Sequence, residues 1–200
     1  MLKVNSAKGA TMPLIANALP MDAMKIIERV HVPWPLLFHH YIVHDVADDL
    51  CSEFQRLWPR WRIDVHAVLI GAATHDLGKT LHPAELHQPG TKHLATGERL
   101  LRALGLSARL ARFARTHGAT RLDDLPMEDL LVALADRSWS GGRDQQLEEE
   151  FMDRAIDATG CAKWDAIHEV GHMIDGVQER ALARLRCDLR PTTAMLATSH

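Results

Sequence analysis

Nowhere in the 200 residues do eighteen apolar side chains run together, so no membrane-spanning helix is expected. A disulfide framework is missing as well. The three cysteines, Cys51, Cys161 and Cys187, lie far apart and form no CxxC pair, which reads as reduced thiols in a cytosolic chain. An excess of one charge is also lacking: 23 Lys and Arg stand against 26 Asp and Glu, for a net charge of -3. That balance gives no strong nucleic-acid signal and no membrane-surface footprint, though a local basic pocket for a phosphate stays open. The N-terminal apolar stretches are broken by Pro13 and Pro20 and carry Lys3, Lys8 and Asn17, so no signal peptide is read and the cytoplasm is the default. There is no GxSxG elbow and no cysteine with a nearby histidine motif, and hence no expected protein nucleophile.

What is present is histidine, 13 of them, the commonest metal ligand and a frequent proton carrier. Strand-like alternation is nearly absent, and apolar residues recur at helical spacing through most of the chain. The pattern predicts an all-α fold, a single helical domain over residues 21–190. A loose arm precedes it over 1–20 and a frayed tail follows over 191–200. About eight helices are expected, near 22–31, 36–57, 62–77, 93–105, 107–117, 126–138, 144–158 and 163–186. Pro59 marks the first sharp turn, and Gly78 sits where a left-handed C-cap would end the third helix.

The chemistry starts at THDLGK, residues 74–79. His75 and Asp76 are neighbours about 100° apart on a helix, so both face one ion only where the helix ends, and its C-terminal partial charge favours a cation there. Folding the chain back at Pro59 sets His44, about fifteen residues before the turn, level with His75, about sixteen after it. The count selects His44 over His39 or His40, with His40 as the alternate one turn earlier. Asp136 ends the apolar stripe of MEDLLVALAD, where a carboxylate is costly to bury unless a cation neutralises it. Imidazole and carboxylate donors suit Mn, Fe, Zn or Mg over a thiol-preferring ion.

The order His44, His75-Asp76, Asp136, in the contexts GAATHDLGK and LVALADRSWSGGR, resembles the signature of the HD-domain superfamily of metal-dependent phosphohydrolases across roughly residues 36–158. The resemblance implies an HD-type helical bundle and one or two divalent ions, with Mn, Fe, Mg, Co, Ni and Zn all admissible. It also implies His93, in HLATGERLLRALGL, and His117, in RLARFARTHGAT, as ligands of a second ion, with Asp76 bridging the two. Cleavage of a phosphoester or phosphoanhydride in a small, nucleotide-like substrate by a metal-activated hydroxide is then expected. Asp76 and Lys79 are the expected catalytic residues. Lys79 holds the place of the family's phosphate-approaching lysine, and Arg137 and Arg143 are further phosphate candidates. The cyclic-dinucleotide subfamily's GYP element is missing after the HD pair, which counts against that substrate; the choice among the other nucleotide-like substrates stays open, as does a homo-oligomer. His31, His39, His66, His82, His87 and His200 carry no expected role.

Two other readings compete. HEVGH, residues 168–172, satisfies the HExxH pattern of zinc metalloproteases, with His168 and His172 on one helix face and Glu169 as base. A third ligand is hard to find, since few residues follow His172. An HD-like nucleotide-binding module without turnover is the non-enzymatic alternative.

Overall fold

The computed structural model describes residues 17–188, with the side chains of Cys187 and Asp188 left aside; the expected tail over 191–200 and most of the expected arm lie outside them. Among the described residues there is no strand, and nine α-helical segments follow one another. They are α1 (Met21–Arg29), α2 (Trp34–Leu57), α3 (Val65–Thr74), α4 (Lys92–Ala103), α5 (Ala108–Ala111), α6 (Phe113–Thr116), α7 (Met127–Ser138), α8 (Gln145–Thr159) and α9 (Lys163–Asp188). Two 3-10 turns, Leu77–Leu81 and Pro83–Leu86, fill the connection between α3 and α4. The fold is all-helical, as the periodicity predicts. The single helix expected over 107–117 is broken at Arg112 into the short pair α5 and α6. No helix among the described residues is long and apolar enough to cross a membrane.

Local signals explain the helix starts. Pro35 sits in the first turn of α2, where its missing N–H costs nothing. Asp64 caps α3 by accepting the Ala67 N–H at 3.0 Å, and Asp144 caps α8 through Leu147 N–H at 3.2 Å. Gly160, at φ 67°, closes α8 in the left-handed conformation.

Helix α2 runs through the middle. It packs against α3, α7 and α9, and its buried Val43, Val46, Ala47, Leu50 and Phe54 belong to the main core. A smaller apolar cluster seats α1, through Ala23, Ile26 and Ile27, on Ile70, Ala73 and Leu77. Arg112, at the break between α5 and α6, grips the fully buried Asp129 of α7 with Nε and Nη2 at 2.9 and 2.7 Å. Thr116 Oγ1 donates to the same carboxylate at 2.5 Å. That anchor fixes the end of α6, and with it His117, against α7.

Gly78 is not the left-handed cap expected of it: among the described residues, positive φ occurs only at Gly105, Gly141 and Gly160. Its smallness serves packing. A Cβ there would collide with the His93 carbonyl oxygen and stand 2.8 Å from Gly97 N, so the turn after Asp76 lies flush against α4.

Candidate metal centre

Helix α3 ends at Thr74, three residues before the expected 77, and this ending lets two adjacent side chains converge. His75 keeps helical angles, at φ -53° and ψ -39°, while Asp76 leaves the helix at φ -100° and ψ 6°. Both are buried at the floor of a cleft.

Four imidazoles point their Nε2 atoms at two carboxylates. His39 Nε2 lies 3.1 Å from His75 Nε2 and 3.1 Å from Asp136 Oδ1, and His75 Nε2 lies 3.3 Å from the same oxygen. On the other side, Asp76 Oδ1 stands 3.2 Å from His93 Nε2 and 3.4 Å from His117 Nε2. Asp76 Oδ2 faces back toward His39 at 3.5 Å and His75 at 3.7 Å. Asp76 thus stands between two donor groups. His39, His75 and Asp136 form one set close enough to share an ion, and His75, Asp76 and His117 form another.

The opposite ring nitrogens fix the tautomers. His75 Nδ1 meets the Ala72 carbonyl at 2.9 Å and His117 Nδ1 meets the Phe113 carbonyl at 3.1 Å. A carbonyl only accepts, so each Nδ1 carries a hydrogen, and in the neutral ring that a metal takes each Nε2 is left with its lone pair. His93 Nδ1 donates to Glu85 Oε2 at 2.6 Å with the same consequence. Lone pairs aimed at carboxylate oxygens repel unless a cation lies between them. Asp76 Oδ1 is buried and has no properly angled hydrogen-bond partner of its own. Separations of 3.1–3.3 Å among His39, His75 and Asp136 are those of donors sharing one ion at about 2.0–2.2 Å. The residues fit a divalent metal.

Protonation follows the same charges. Burial, the largest single influence, would push the Asp76 carboxyl up, but the neighbouring imidazoles of His75, His117 and His93 hold it well below the usual range. Asp136 behaves alike: burial is overcome by His75 and His39. Burial pulls His75 down, and Asp76 and Asp136 outweigh it to leave the imidazole raised. Burial and the nearby His75 win at His117, which is lowered despite Asp76.

His44 is not part of this group. It is buried along α2 with both ring nitrogens unpartnered, and its near acid is the adjacent Asp45, 3.8 Å from Nδ1. Its place is taken by His39, for which no role was expected. The equal-arm count fails because the two arms climb at different rates. Trp61 is a bend and residues 62–64 are not helical, so α3 begins only at Val65 and the residues after Pro59 do not rise at the helical rate the count assumes. His40, the alternate, stands behind the group, its ring edge-on to His75 at a centroid distance of 5.4 Å and both its nitrogens unpartnered.

The expected phosphate residues divide. Lys79 Nζ bonds Asp76 Oδ2 at 2.5 Å and lines the cleft. Arg137 lines it too, half exposed and loosely paired with Asp144 at 3.6 Å. Arg143 does not reach the group. The Gly141 turn delivers it to α8 and α9, where Glu148 and Asp175 take its guanidinium at 2.6 and 2.5 Å.

Glu85 is a second residue missed in the sequence. One carboxylate accepts from the His93 ring and from the backbone N–H groups of Lys92 and His93, each at 3.0 Å, tying the 3-10 turn to the start of α4. Gly90 leaves room for it, since a Cβ there would collide with the Glu85 carboxylate. Burial opposes its charge, but the His93 ring and those N–H groups hold the carboxyl down to about 2 against an ordinary 4.5. Carboxylates behind ligating histidines raise metal affinity, so Glu85→Gln should weaken binding of a divalent ion about 10–100-fold by calorimetry. A depressed carboxyl adds stability above its unfolded value and loses it as the pH falls toward the folded one. Between pH 4.5 and about 2, the wild type should therefore lose stability more steeply than Glu85→Gln. Equal slopes would contradict the Glu85 assignment.

Comparison with protein-family models, with curated proteins and with solved structures finds no match to this chain.

Proposed function

We propose that the chain is a metal-dependent phosphohydrolase of the HD type, acting on a small phosphorylated substrate. One observation carries this reading: four histidine Nε2 atoms and two carboxylates converge at the floor of a cleft, with the Nδ1 hydrogens of His75, His93 and His117 committed elsewhere. Divalent ions bound there would supply Lewis-acid polarisation of a phosphoryl oxygen and a more acidic water. His39, His75 and Asp136 would hold one, His93 and His117 the other, with Asp76 between.

The protein's own groups supply the rest. The cleft has two lobes, of about 270 and 520 Å³, which share Lys79, Asp136 and Arg137. The smaller is of mixed lining, with Glu85, Thr91 and His93 beside Pro89, Leu94 and Gly118. The larger is walled by Pro33, Pro35, Leu36, Leu86 and Trp139. A phosphoryl group at the junction meets Lys79 and Arg137, while the larger lobe offers flat apolar surface to the organic part of the substrate and keeps water from it. Buried His40 packs behind His75 and limits its movement. Lys79→Met should lower kcat/KM about 10²–10³-fold while leaving metal content unchanged. Loss of metal in that variant would assign Lys79 a purely structural role.

The test is a turnover screen over phosphorylated metabolites, repeated with Mn, Fe, Co, Ni and Mg. Hydrolysis that requires added metal supports the proposal. Tight nucleotide binding with no turnover under any ion favours the binding module. The protease reading loses ground: neither grouping of three or more donors found among the described residues includes His168 or His172.

A further inference from the structure

HEVGH lies on α9, where its Val170 joins Met173, Ile174 and Val177 in the apolar stripe that packs into the core, while its two histidines lie off that stripe. His168 and His172 are both exposed. One helical turn separates them, so their side chains stand side by side. Their rings lie 4.3 Å apart at 68°, with Nε2 facing Nε2 at 3.1 Å.

We propose that these two imidazoles form a surface chelate for a first-row transition ion, separate from the buried cluster and independent of the phosphohydrolase reading. The geometry carries it. Two nitrogens bound to one ion at about 2.0–2.1 Å, at an angle between square and tetrahedral, stand about 2.9–3.4 Å apart, and the observed Nε2 separation falls inside that interval. The helix fixes the spacing of the two side chains, and the rings already face one another at Nε2. Asp165 stands one turn before His168 and is exposed, but no third His, Cys, Asp or Glu donor among the described residues lies within reach of the pair as it stands. Water completes the coordination.

The chemistry of the donors selects the ion. Imidazole pairs favour Cu²⁺, Ni²⁺ and Zn²⁺, with Cu²⁺ tightest, whereas Mg²⁺ prefers oxygen. Nor does the site become a protease. Glu169, the residue that would act as base, belongs to a different neighbourhood, where it adds, after Glu53, to the negative charge that holds Arg56 protonated.

Equilibrium dialysis of the full chain against Zn²⁺ tests the proposal, comparing wild type with His168→Ala, His172→Ala and Glu169→Gln. The wild type and Glu169→Gln should each bind one Zn²⁺ per chain more than either histidine variant. Under Mg²⁺ all four should bind equally. The difference in stoichiometry removes the contribution of the buried cluster, and both histidines are exposed, so the variants keep their core; circular dichroism checks that. Equal Zn²⁺ stoichiometry in wild type and the histidine variants would reduce the contact to an imidazole–imidazole hydrogen bond and overturn the site. A loss in Glu169→Gln matching that of the histidine variants would also overturn it, since the carboxylate would then be the ligand.

Discussion

Asp76→Ala should abolish hydrolysis, lowering kcat/KM by about 10³-fold or more, and should remove bound metal along with it. The expectation follows from the position of one side chain. Asp76 Oδ1 serves His93 and His117 while Oδ2 serves His39, His75 and Lys79. Among the described residues no other carboxylate lies within ion-pair distance of histidines in both halves, so its removal leaves imidazole lone pairs directed at one another. Asp76→Asn separates charge from shape. It keeps the volume and one acceptor but removes the negative charge that draws a cation, and should bind metal weakly while folding normally. Full metal content in Asp76→Asn, with turnover intact, would show that the carboxylate charge is dispensable.

The second large effect is a contrast between two histidines on α2. His39→Ala should lose at least one bound ion and lower turnover about 10²-fold or more, because it removes an Nε2 held 3.1 Å from both His75 Nε2 and Asp136 Oδ1. His44→Leu should keep metal content and turnover. Both nitrogens of His44 are buried without partners, so an apolar side chain of similar size relieves an unmet polar burial and leaves stability unchanged or slightly improved. The reverse outcome, metal lost from His44→Leu and kept in His39→Ala, would place the first histidine where the sequence count put it.

Periodicity was enough for the helices because each one buries a stripe. Val170, Met173, Ile174 and Val177 on α9 mark theirs at 3–4 residue spacing, and no strand alternation competes with them. Adjacent His75 and Asp76 were legible as a pair because their union requires a helix end, and LGK supplies a residue that a helix end tolerates. The pairing of His75 with a residue on α2 was less legible. It depends on how far Trp61–Asp64 climbs per residue, which apolar patterning does not encode, and an error of five residues in height exchanges His39 for His44. Glu85 was hidden for a different reason: its partners, His93 and the N–H groups that open α4, are tertiary and local at once, and the loop sequence shows only an acid between prolines. Arg143 illustrates the opposite failure. A basic residue in a glycine turn reads as free, yet Glu148 and Asp175 stand ready to pair with it.

Crystals soaked in Mn²⁺ and measured at the manganese edge examine the central claim directly. Anomalous scattering should appear on either side of Asp76, one peak beside the Nε2 atoms of His39 and His75 and the other beside those of His93 and His117. Density confined to the surface, or beside His44, with none between these side chains, would contradict the assignment of the cleft as a metal centre.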